Sequence, residues 1–86
     1  MQPRTFFHRL ETKRANNLLY QSHGLQGLIT VWKHDGKYIL TREECPRGEQ
    51  YDESTYALDE RHVFDAVDEL VVFLKSRLIN LEQFVP

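Results

Sequence analysis

Apolar positions recur at helical spacing near the end of the chain. Val63, Val67, Leu70, Leu74 and Leu78 form a stripe that Phe64 and Val71 widen. Arg61, Asp65, Asp68, Glu69 and Lys75 fall mostly on the opposite side. This spacing predicts a helix over residues 60–78. Asp59 is its expected N-cap, since a carboxylate there can accept the free N–H groups of the first turn. Acids crowd the start of the segment while Lys75 and Arg77 sit at its end, as the helix dipole favours.

A different period governs residues 27–44. Two β-rich runs, Leu28 to His34 and Lys37 to Arg42, flank Asp35-Gly36. Asp-Gly supplies the two positive φ angles of a type I′ turn, so a two-residue hairpin is predicted. Its register places His34 opposite Lys37, Trp32 opposite Ile39 and Thr30 opposite Thr41 on one face. Lys33/Tyr38, Val31/Leu40 and Ile29/Arg42 fall on the other. Residues 45–52 read as a loop with Pro46 and Gly48 as breakers, and residues 53–58, with Thr55, Tyr56 and Leu58, as a short third strand. Residues 5–20 carry a weaker helical pattern through Phe6, Phe7, Leu10, Leu18 and Leu19. Asn16-Asn17 lowers its propensity, so a helix competes there with an extended arm, including a strand near Leu18 to Gln21. Ser22-His23-Gly24 reads as a break.

The expected fold is a small two-layer α+β domain of order α-β-β-(β)-α. Its antiparallel sheet carries a C-terminal helix packed on it. All of 1–86 forms one domain, with no repeat and no low-complexity tract. The order αβββα is similar to that of double-stranded RNA-binding domains, but the likeness stops at element order. Those domains open their last helix with a basic cluster, whereas this segment opens with Asp59-Glu60-Arg61.

Composition narrows the function classes. The chain has 86 residues, of which 41% are hydrophobic and 28% charged, so it can fold but holds one core. So small a domain has little room for an enclosed catalytic pocket, and a protein that is not an enzyme is expected. One cysteine, Cys45, excludes an intramolecular disulfide and any multi-cysteine zinc site. The start of the chain lacks a signal region, and the longest apolar run, Leu70 to Leu74, falls far short of the roughly 20 residues of a membrane span. A cytoplasmic protein with no membrane partner is expected.

The net charge of −2 conceals a division. Residues 1–42 carry +5, through Arg4, Arg9, Lys13, Arg14, Lys33, Lys37 and Arg42 against Glu11 and Asp35. Residues 43–69 carry −8, with Arg47 and Arg61 alone opposing ten acids.

Catalytic and metal constellations do not emerge. His8, His23, His34 and His62 show no i,i+4 pairing on a helix, and no Cys-x-x-Cys exists, so no metal or cofactor is expected. No Gly-x-Ser-x-Gly elbow and no glycine-rich phosphate loop is present. Two surfaces remain as candidates for partner binding. One is the acidic set Glu49, Asp52, Glu53, Asp65, Asp68 and Glu69, whose carboxylates can stand in for nucleic-acid phosphates before a protein partner with a basic surface. The other is the hairpin face with Trp32 and Ile39, which is either core or a contact surface, for a partner or in a homodimer. The expected function is a small binding protein that inhibits or regulates a nucleic-acid-binding machine. Its size, its charge block and its lack of catalytic residues are similar to those of phage-encoded inhibitors of host defence such as anti-CRISPR proteins, which would place it in a host cytoplasm. Two alternatives stand beside it: a nucleic-acid-binding module using Arg4, Arg9, Lys13, Arg14, Lys33 and Lys37, and a self-associating regulatory or structural protein.

Overall fold

A computed structural model describes residues 1–47 and 57–86. The chain runs α1 (Pro3–Glu11), β1 (Asn16–Ser22), β2 (Leu25–His34), β3 (Lys37–Pro46), β4 (Leu58–Phe64) and α2 (Val67–Ser76), and ends in a 3₁₀ turn at Leu81–Gln83. The four strands form one antiparallel sheet in sequence order.

The central hairpin has the expected register, with Trp32 opposite Ile39 and Val31 opposite Leu40. Asp35 and Gly36 both take positive φ, at 51° and 74°, as a type I′ turn demands. His23 and Gly24 repeat the device at 50° and 80°, so the expected break is a second two-residue turn, joining β1 to β2. Residues 5–20 therefore resolve into a short helix and a strand. Pro3 in the first turn starts α1, where its missing N–H costs no hydrogen bond.

The helix expected over 60–78 is shorter. Residues 58–64 are a strand, and the helix starts only at Val67, with Ala66 rather than Asp59 as N-cap. The tertiary reason is β3: its outer edge pairs with seven residues of β4, from Tyr38 opposite Phe64 to Glu44 opposite Leu58. Ladder pairing outweighs the local helical period there. The strand expected over 53–58 lies largely outside the described residues, and Leu58 opens β4 instead.

Both helices and the C-terminal segment cover one face of the sheet. Phe6 and Leu10 from α1, Leu70 and Leu74 from α2, and Phe84 pack on Leu18, Ile29, Val31 and Leu40. Phe84 is fully buried and meets the Phe6 ring edge-on at 5.1 Å. Asn16, the one polar residue buried completely among those described, ties α1 to the sheet. Its Nδ2 donates to the Phe6 carbonyl at 3.0 Å and its Oδ1 accepts from Arg9 Nε at 2.9 Å. A buried amide satisfied in both directions carries no desolvation penalty of the unpaired kind.

Candidate protein-binding face

Strand alternation sends every second side chain to the sheet face opposite the helices. Across β2, β3 and β4 this outer face presents Trp32, Ile39 and Val63 as direct neighbours. Ile39 is buried between flanking residues, Trp32 is half-buried, and Val63 remains 54% exposed. The Arg61 guanidinium lies 6.0 Å from the centre of the Trp32 ring, a cation–π contact at the edge of its range. A second apolar pair, Leu19 opposite Leu28, lies two rows away, with Leu19 65% exposed. Among the described residues no helix packs on this face.

Its charges are ordered along the strands. Glu43 and Asp59 stand directly opposite one another, in the row that also holds Leu28. Like charges in a cross-strand pair repel. Among the described residues neither has a cation within ion-pair distance. At the other end of the face Lys37 Nζ bonds to the Asp65 carboxylate.

Of the expected acidic set, the three members among the described residues stand together. Asp65, Asp68 and Glu69 gather at the β4–α2 junction. There the Glu69 side chain accepts the Asp65 N–H at 3.1 Å, and Asp68 and Glu69 face the positive end of the helix dipole. Lys37 further offsets this group: its bond to Asp65, with the attraction of both Asp65 and Glu69, holds the lysine pKa above its usual value. Glu44 and Glu60 turn to the helix-covered face. Glu49, Asp52 and Glu53 lie outside the described residues. Trp32 and Ile39 do lie side by side, on the outer face rather than in the helix-covered core.

Of the basic residues proposed for nucleic acid, Lys13 and Lys33 line one cleft together with Glu11 and Asp35, and several are engaged within the chain. Arg9 is engaged by Asn16 and by the Ala15 carbonyl, at 2.9 Å each. Lys33 bonds to Glu11 at 2.9 Å, and Lys37 to Asp65. Arg4, Lys13 and Arg14 are exposed around α1 and the turn after it.

The helix-covered face carries a polar cluster beyond the core. Tyr20 lies flat across Gly27, donates to Glu44 Oε2 at 2.7 Å, and accepts from Arg42 Nε at 3.0 Å. Burial, then the carboxylate of Glu44, pushes the Tyr20 phenol pKa up. Nearby, His62 packs against Phe73 with ring centres 4.5 Å apart, and its Nε2 lies 3.5 Å from Glu60 Oε2. Among the described residues no group of three or more His, Cys, Asp or Glu side chains could hold a metal ion, and no helix is long and apolar enough to cross a membrane.

Sequence reasoning missed Leu19, Glu43, Asp59, Arg61 and Val63 as members of the outer face. The signal was present in Leu58 to Phe64, where Asp59, Arg61 and Val63 alternate with Leu58, Glu60, His62 and Phe64 at the period of a strand. Comparison with protein families, with curated proteins and with solved structures found no match for this chain.

Proposed function

We propose that the protein is a non-enzymatic binding protein that regulates or inhibits a partner protein through the outer face of its sheet. The observation that carries this reading is the one-sided placement of both helices, which among the described residues leaves Trp32, Ile39 and Val63 on a face without a helical cover. An apolar centre holding a tryptophan, bordered by charge, is the composition of a protein-binding patch. The opposed carboxylates of Glu43 and Asp59 give the partner its sign. Held together without a cation in reach among the described residues, they gain from a lysine or arginine brought by the partner. A nucleic-acid-binding protein, whose groove is cationic, has the matching chemistry. The pairing of Arg9, Lys33 and Lys37 within the chain disfavours direct binding to nucleic acid.

The test uses immobilised protein against a set of purified basic nucleic-acid-binding proteins at low and high salt. Binding should weaken with salt, fail with Val63→Glu, and fall with the paired change Glu43→Lys/Asp59→Lys. Binding that survives Val63→Glu, in a variant that remains folded by circular dichroism, rules out the outer face.

A further inference from the structure

Helix α2 presents a second apolar stripe, turned away from the sheet. Leu70 and Leu74 point into the core and are fully buried. At 3.6 residues per turn, Val72 falls at the centre of the opposite side, and it is 66% exposed. Asp68 lies one turn before it and Lys75 nearly one turn after, both exposed, with Val71 beside them. Among the described residues neither Asp68 nor Lys75 has an ion-pair partner within the molecule. Beyond Lys75 stands Leu78, 92% exposed and held at φ 59°. It occupies the left-handed position of a Schellman cap, in which Ile79 N–H donates to the Leu74 carbonyl at 2.9 Å and Leu78 N–H to the Lys75 carbonyl at 3.0 Å. Glycine is the usual occupant of that position. A leucine there accepts backbone strain while burying almost nothing within its own molecule.

The stripe is complementary to itself when reversed. The midpoint between Asp68 and Lys75 falls between Val71 and Val72. A two-fold axis through that point sets Asp68 of each copy beside Lys75 of the other. The valines of both copies meet at the axis, and Leu78 extends just past the start of the opposing helix, to the level of Asp65. A two-fold interface needs a patch that satisfies itself in this way. We infer that α2 pairs antiparallel with α2 of a second copy of this chain. The groove of about 460 Å³ alongside, lined by Pro3, Val71, Leu74, Lys75, Leu78 and Ile79, widens the apolar area on the same side. This surface lies on the helical layer, opposite the sheet face proposed to bind a partner, and its argument does not depend on that proposal.

A contact built around one ten-residue helix about 15 Å long is small, so a dimer dissociating on the order of 10 μM to 1 mM is expected. Sedimentation of the full chain over that range should show a monomer–dimer equilibrium that weakens with salt. Asp68→Lys alone and Lys75→Asp alone should each lose the dimer, because each sets like charges together. Mixed in equal amounts they should dimerise again. The lysine introduced in one variant then meets the aspartate introduced in the other, while the unchanged Lys75 and Asp68 still pair. Val72→Lys should weaken association at least about tenfold. Circular dichroism checks that each variant folds, and the mixing experiment itself shows that both partners do. A chain that stays monomeric throughout the range overturns the inference. So does a dimer that the two charge variants leave intact, or one that Val63→Glu abolishes, since the latter would place self-association on the sheet face.

Discussion

A Cβ built on Gly27 would stand 2.1 Å from Cζ of Tyr20, well inside any tolerated contact. The Tyr20 ring rests on the bare backbone of its cross-strand partner, and its hydroxyl is held by Glu44 and Arg42. The glycine is there for close approach, not for a turn. Gly27→Ala is expected to lift the ring and cost about 1–3 kcal/mol. In a Tyr20→Ala background the same change should cost far less, because no ring remains to be displaced. Urea unfolding of the four proteins measures this coupling directly; equal costs in the two backgrounds would show that the ring contact is not what the glycine serves. Nothing in the sequence marks the pair, since Tyr20 and Gly27 are joined only by the register of a turn that reads locally as a break.

Among the elements, α2 ends on the strained Leu78. In dilute solution Leu78→Gly should stabilise the folded chain by up to about 1 kcal/mol, the relief of left-handed strain being partly offset by glycine's freer unfolded state. A thermal melt at low concentration reads the gain, and a lower melting temperature would show that the leucine has a packing role of its own. Helix α1 is tied to the central hairpin by charge. The bond from Lys33, then that from the Tyr38 hydroxyl, holds the Glu11 carboxyl below its ordinary pKa, and the same carboxylate raises Lys33 above its own. The depressed acid stabilises the fold above the usual carboxylate range and ceases to do so as pH falls through its lowered pKa. The raised lysine contributes below its unfolded pKa and is lost as pH climbs through the folded one. Stability should therefore plateau between those limits, and Glu11→Gln should flatten the acid-side fall in melts run from acid to alkaline pH. An unchanged acid limb would assign it to other carboxylates. The central hairpin and β4 show how far sequence alone reaches. The Asp35-Gly36 hairpin is legible to the residue because turn chemistry and alternation agree there. Residues 58–64 are not, because Val63 and Phe64 fit a helical stripe and a strand equally well, and only the open edge of β3 decides between them. The outer face inherits that ambiguity: Trp32 and Ile39 can be paired from sequence, while Val63 and Asp59 join them only once β4 has formed.

For the molecule as a whole, the decisive asymmetry is that one sheet face carries both helices while the other carries none among the described residues. The helix-covered core is closed by the two ends of the described chain. Phe6 and Phe84 are both fully buried and touch edge to face, and Val85 exchanges backbone bonds of 2.7 and 2.8 Å with Asn17 at the rim of β1. Phe84→Ala is expected to cost about 3–5 kcal/mol, a large part of the total stability of a domain this size, and to loosen α1 before the hairpins. Hydrogen exchange by residue would show it, with amides of β2 and β3 outlasting those of α1; uniform loss would mean that the layers melt as one. In refolding from denaturant, this closure sets an order of events. The neighbouring strands of the meander can zip early, since each pairs with the next one along the chain, whereas α1 and the final segment must find each other from opposite ends before Phe6 and Phe84 can meet.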